Sequence, residues 1–146
     1  MFWGKKAAWL KRIDLAGLKP VEKWSVQLSE HVVSTAAVQE GIVYMADCGQ
    51  FLRAVDASTG KELWTHECGG DFWSSPMIAD GKILIATRRG KFLSFAEGRE
   101  KRLLAEVELG GPVSATVIAA NNTYYVATQS KLFAVRSGGA AKMPAR

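Results

Sequence analysis

Short apolar stretches separated by glycine-bearing turns run along most of the chain. Residues 75–79 (SPMIA) lead into Asp80-Gly81, then residues 82–87, then Arg89-Gly90, then residues 91–95. Runs of five or six residues bounded by such pairs predict strands, and Asp-Gly predicts a two-residue hairpin turn. Residues 101–107 supply a fourth strand. Residues 34–38, 42–46, 51–55 and 61–65 repeat the scheme, with turns at Glu40-Gly41 and Cys48-Gly49. The pattern therefore predicts antiparallel meanders of four strands.

The meanders recur with a period of forty. Trp24 and Trp64 are forty apart. The same spacing relates Ser34, Ser74 and Ser114; Val33, Trp73 and Val113; Val38, Ile78 and Ile118; Val55, Phe95 and Val135; and Gly41, Gly81 and Asn121. Asn tolerates the left-handed backbone of a tight turn, so Asn121 reads as the third copy of the glycine slot. Near the start, residues 10–15 lie over residues 52–57, which makes the N-terminal part half of another copy. The reading divides the chain into a half blade at 9–28, blades at 33–67 and 73–108, an incomplete blade at 113–136, and a disordered Gly/Ala-rich tail at 137–146.

One motif is complete: Ala54, Asp56, Gly60 and Trp64 in the order A-x-D-x-x-x-G-x-x-x-W. Asp56 is suited to accept hydrogen bonds from turn amides, Gly60 to supply a positive φ, and Trp64 to lie flat between neighbouring four-stranded units. Asp14 and Trp24 keep two of its residues with two extra residues between them. In the next copy Ala96 takes the Asp place and Leu103 or Leu104 the Trp place. This motif on a forty-residue, four-stranded unit resembles the pyrroloquinoline-quinone-like (PQQ-like) β-propeller repeat over roughly residues 9–136. The resemblance implies an all-β fold, a partial propeller of about three four-stranded antiparallel blades. WD40 propellers share the period, but the chain has no Trp-Asp dipeptide. Propellers close with about 4–8 blades, so the expectation is the C-terminal part of a longer propeller, with ring completion by several chains as the alternative.

Composition narrows the chemistry. The chain has 146 residues, 48% hydrophobic and 23% charged, with a net charge of +5. No apolar run exceeds five residues, far short of the ~18 needed for a spanning helix. Residues 7–10 are cut off by Lys11-Arg12, so no signal peptide is read here. The resemblance implies a periplasmic or extracytoplasmic setting, and these residues leave the compartment open. The basic residues Arg88, Arg89 and Lys91 fall at one end of a strand and Arg99, Lys101 and Arg102 at the other, a poor nucleic-acid platform.

Quinoprotein dehydrogenases of this superfamily hold their quinone and a calcium ion with channel-facing Glu, Asn and Asp, and many carry adjacent disulfide-bonded cysteines. The expected channel strands here, 33–38, 73–78 and 113–118, contain none of those residues, and Cys48 and Cys68 are not adjacent. No catalytic, cofactor or metal residue is assigned; His31, His66, Cys48, Cys68 and Asp71 offer too few converging ligands. The expected function is a non-catalytic module for protein binding or assembly, through a protein partner or through self-association at open propeller ends. The alternatives are a fragment of a quinoprotein dehydrogenase and a carbohydrate or small-ligand propeller that uses Trp73 and Tyr44 at the channel mouth.

Overall fold

The computed structural model describes residues 8–136. The expected tail at 137–146 lies outside the described residues. Among the described residues there are thirteen strands in four antiparallel sheets and no helix. Sheet 1 holds β1 (Trp9–Asp14) and β2 (Val21–Gln27). Sheet 2 runs β3 (Ala37–Gln39), β4 (Ile42–Ala46), β5 (Phe51–Asp56) and β6 (Glu62–Glu67). Sheet 3 runs β7 (Met77–Ala79), β8 (Lys82–Ala86), β9 (Lys91–Ala96) and β10 (Leu103–Glu108). Sheet 4 holds β11 (Ile118–Ala120), β12 (Thr123–Ala127) and β13 (Leu132–Arg136).

Strand alternation places the core between the sheets. In β8, Ile83 and Ile85 join a cluster with Tyr44, Leu52, Trp64, Phe72 and Phe95, between sheets 2 and 3. Leu84 and Ala86 point the other way, into a cluster with Val113, Val117 and Val126 that reaches sheet 4. A strand covered on both faces needs apolar residues at every position, and residues 83–86 meet that requirement.

The inner strands are only three residues long, starting at Ala37, Met77 and Ile118, so most of 33–38, 73–78 and 113–118 is not strand. Side chains replace the ladder there: the Ser34 hydroxyl donates to Ala46 O and the Ser74 hydroxyl to Ala86 O, each at 2.6 Å.

The repeat also slips by one. Asp56 N–H closes its turn on Lys61 O, whereas Ala96 N–H closes on Arg102 O. The β9–β10 turn therefore carries one extra residue. Beyond it, the two-residue turns at Glu40-Gly41 and Asp80-Gly81 are matched by Asn121-Asn122, all with positive φ. Asn122, not Asn121, takes the glycine slot. By the same count Ala115 replaces Ser114 as the partner of Ser34 and Ser74. The β12–β13 loop is one residue shorter than its counterparts, and Val135 returns to the register of Val55 and Phe95. The Trp place in sheet 3 belongs to Ala105, which pairs Ser94 as Trp64 pairs Ala54; neither Leu103 nor Leu104 occupies it.

Candidate functional site

The motif residues act between sheets. Trp24 on β2 donates its indole N–H to Ala57 O in the β5–β6 turn, 3.0 Å away. Gly60, at φ 75°, lets the Trp24 ring approach so closely that an added Cβ would lie 2.7 Å from Trp24 Cγ. Trp64 repeats the arrangement one blade on: its N–H donates to Gly98 O at 3.1 Å, and its ring stacks on Phe95 with centroids 5.7 Å apart. Ala54, fully buried opposite Trp64, leaves room for the indole.

Asp56 Oδ1 accepts from the N–H and hydroxyl of both Ser58 and Thr59, while Oδ2 accepts from Arg99 at 2.7 Å. The Ser58 hydroxyl, then Arg99, hold its carboxyl far below the usual range. Asp14 has the same place but a longer turn, and it accepts instead from Arg12 at 3.1 Å.

Tyr44 is not at a channel mouth. It is wholly buried, its ring is tilted 5.9 Å from Trp64, and its oxygen accepts the Gly98 N–H at 2.9 Å. Burial pushes its phenol above the ordinary range. Its place on β4 faces it, with Ile42 and Ala46, toward sheet 3, so no ligand reaches it.

Trp73 lies elsewhere. It is 48% exposed, with the Arg88 guanidinium 4.2 Å from its ring centroid. Arg88 also donates to the Ser114 hydroxyl at 2.7 Å. Trp73 lines a cleft of about 680 Å³ together with Glu30, His31, Val33, Cys48, Gln50 and Asp71. The cleft is built by three pieces of chain: the β2–β3 connection, the β4–β5 turn and the β6–β7 connection. Backbone bonds tie them, from Cys48 N to His31 O and from Cys68 N to Gln50 O. The buried Asp47 carboxylate anchors the turn by accepting from Ser29 N and Phe51 N.

Sequence reasoning did not assemble this cleft, but one signal was available. Gln50 has φ 75°, and forty residues on, the corresponding turn position is Gly90.

The channel-side segments are linked by hydroxyls. Thr35 N–H donates to Ser75 Oγ at 2.8 Å, and Ser75 N–H to Thr116 Oγ1 at 3.1 Å. These side chains bind one sheet to the next. Segments 33–39, 73–79 and 114–120 contain no Asp, Glu or Asn. Among the described residues no three His, Cys, Asp or Glu side chains converge on a metal position. Cys48 and Cys68 are free thiols; burial raises Cys68 to about 12. His66 packs edge-on against Phe95. No described helix is long and apolar enough to cross a membrane.

Antiparallel sheets stacked face to face and joined by hydroxyls along their inner segments define a β-propeller architecture with PQQ-like repeats. The chain belongs to the family described as outer membrane protein assembly factor BamB, whose model matches residues 12–142. A curated relative, outer membrane protein assembly factor BamB of Nitrosomonas eutropha (strain DSM 101675 / C91 / Nm57), is 32% identical over 85 residues, 57% of this chain and 20% of the relative. BamB from Moraxella catarrhalis has a similar solved structure, with a TM-score of 0.65 and 17% identity over 75% of this chain and 34% of that one. A europium-containing methanol dehydrogenase aligns with a TM-score of 0.59 and 18% identity, over 68% of this chain and 21% of that one. The chain thus spans about a fifth of its curated relative, and the two structural likenesses bear on fold alone.

Proposed function

We propose that the chain is a non-catalytic protein-docking module that serves the assembly of other proteins, with blades at 9–28, 33–67, 73–108 and 113–136. The observation that carries this reading is the uncovered strand surface beyond the core. All six residues of β10 are exposed, among them Leu103, Leu104 and Val107. Among the described residues β13 forms the edge of its sheet, with Leu132 68% and Val135 50% exposed. An unpaired edge offers N–H and C=O groups to an incoming strand, and adjacent apolar side chains reward its alternate residues. The relative's name, an outer membrane protein assembly factor, supports the same reading. The dehydrogenase likeness is one of fold, which does not carry chemistry with it.

The test uses a synthetic peptide with the sequence of residues 101–108, the strand that holds the fourth place in sheet 3. Hydrogen exchange should slow across β13 when the peptide is added, and an N-methylated peptide of the same sequence should have no effect. Unchanged β13 exchange at about 1 mM peptide, equivalent to binding weaker than about −4 kcal/mol, would count against strand docking.

A further inference from the structure

We propose that the partner strand received by β13 is selected by its side chains: a large aromatic residue that seats over Ala105, between acidic residues that meet Lys131 and Arg136. The inference rests on the protein-docking reading and names the chemistry of the segment that docks.

The outer part of sheet 3 lies across the outer strand of sheet 2. Lys101 in the β9–β10 turn donates to Thr65 O on β6 at 3.2 Å, and His66 on β6 packs edge-on against Phe95 on β9, with ring centroids 5.0 Å apart. A strand added beside β13 takes the place that β10 holds beside β9, so the repeat lays it across β10. Alternation fixes what it meets there. Leu93 and Phe95 face sheet 2, in the cluster with Trp64, so Ser94 and Phe92 face sheet 4. Ala105 pairs Ser94 and Val107 pairs Phe92, which puts Ala105 and Val107 on the same face. Both are exposed, Val107 by 47%.

Trp64 holds the place of Ala105 in sheet 2, and its ring fills the seam to sheet 3. Ala105 offers only a methyl group, and among the described residues sheet 4 has no fourth strand to cover it. Burying an aromatic side chain removes about 150–250 Å² from water, and at this seam the docked strand has to bring it. Phe133 and Val135 on β13 face sheet 3 beside Val126 and Tyr124, so the inward residues of the strand meet apolar neighbours on both sides. Charge sets the outward residues. Lys131 precedes β13 and Arg136 ends it, and both are exposed. Among the described residues neither is joined to a carboxylate, and residues 1–7 and 137–146 contain no Asp or Glu. Opposite charges on neighbouring strands attract and like charges repel, so a strand with acidic outward residues is favoured over a basic one.

The probe is fluorescein-Gly-Thr-Val-Glu-Trp-Glu-Val-Thr-amide, whose Val and Trp side chains share one face. Two comparison peptides carry Ala for the Trp or Lys for both Glu. Fluorescence anisotropy gives the affinities, and hydrogen exchange across β13 places the peptide. The Trp peptide should bind at least tenfold more tightly than either comparison. Ala105→Trp fills the seam from the chain's own side and should cut the advantage of the Trp peptide over the Ala peptide to less than threefold. Val107→Ser, on the same face, should weaken the Trp peptide at least threefold, while Glu40→Gln, on a distant hairpin, should leave it unchanged. Circular dichroism of each variant confirms that loss of binding is not loss of fold.

Equal affinity for the Trp and Ala peptides overturns the proposal, and so does equal affinity for the Lys peptide or an advantage that Ala105→Trp leaves intact. Protection of β13 that follows chain concentration without peptide assigns the edge to a second copy and also overturns it. Binding seen only after removal of residues 137–146 assigns the edge to the chain's own C-terminal residues, with the same consequence. Protection of β13 by all three peptides alike would sink this inference and leave the docking reading standing, whereas no protection by any of them would sink both.

Discussion

Truncating Trp64 tests how the blades are held together. The side chain is 7% exposed, stacks on Phe95 of the next sheet, tilts against Tyr44 and donates to Gly98 O. Burying about 200 Å² of indole at about 25 cal/mol/Å² gives about 5 kcal/mol gross. The hydrogen bond adds about 1 kcal/mol net, and partial collapse of the cavity returns some of the total. Trp64→Ala should therefore cost about 3–5 kcal/mol, a large share of the roughly 5–15 kcal/mol that holds a typical domain. Trp64→Phe keeps the stacking partner and loses the N–H donor, so its cost should be about 1–2 kcal/mol. Trp24 is only half-buried, and Trp24→Ala should cost less than Trp64→Ala. Urea unfolding followed by near-ultraviolet circular dichroism measures all three, and an unchanged m-value shows that the same transition is compared. A Trp64→Ala cost under about 1 kcal/mol, below the usual range for a buried aromatic, would refute the inter-blade lock, as would a larger loss for Trp24→Ala.

The other predictions concern charge, cofactor and association. Tyr124 donates to Asp80 Oδ2 at 2.6 Å, and this bond lifts its phenol to about 12. Its stabilisation is therefore complete below about pH 10, the ordinary tyrosine value, and is lost as pH rises through the folded value. Phenolate absorbance should show Tyr44 and Tyr124 titrating later than an ordinary tyrosine, and Asp80→Asn should return Tyr124 alone toward the ordinary range. Asp56, with its carboxyl held low, contributes stability above about pH 4 that is lost on acidification. The stability gap between the native chain and Asp56→Asn should narrow as pH falls toward 2, and a constant gap would count against the turn network. With calcium present, pyrroloquinoline quinone should show no saturable binding below about 10 μM, a free energy near −7 kcal/mol; a titration with tighter binding would contradict the non-catalytic reading. The exposed apolar strands should make the isolated chain self-associate at about 100 μM, and light scattering that returns a monodisperse monomer would contradict this.

The blades were legible because two local signals agreed. Alternation marked the strands, and Glu40-Gly41 and Asp80-Gly81 marked where they reverse. The complete motif at Ala54–Trp64 then linked them to a propeller. Legibility failed where the motif had decayed. With Ala96 in the Asp place and no Trp in sheet 3, nothing in the sequence marked the extra residue between Ala96 and Arg102. The forty-residue count ran through it and misplaced Ser114 and Asn121 by one. Tyr44 was misread for a different reason: alternation tells which residues share a face of β4 but not which neighbour that face meets. The cleft around Trp73 joins residues from three connections. Apart from the Gln50 and Gly90 contrast, no short pattern could have announced it.

The slip and the missing tryptophan belong to one structural change. Sheets 1 and 2 are joined by Trp24 on the β5–β6 turn, and sheets 2 and 3 by Trp64 on the β9–β10 turn. Both locks need a receiving turn with an accessible carbonyl, supplied by Ala57 and Gly98. Sheet 3 offers Ala105 in the donor place, so no indole reaches sheet 4. The side-chain ties there are Tyr124 to Asp80, Ser75 to Thr116 and Arg88 to Ser114, beside a backbone bond from Val113 N to Thr87 O and a smaller core of Leu84, Ala86, Val113, Val117 and Val126. The three side-chain bonds are exposed, and an exposed hydrogen bond gives up less on breaking than a buried one because water replaces the partner. Sheet 4 is thus held to sheet 3 without the indole lock that joins the other sheets. Its strand β13 is also the one the docking reading uses, which fits the general tendency of binding elements to come from the less stable end of a fold.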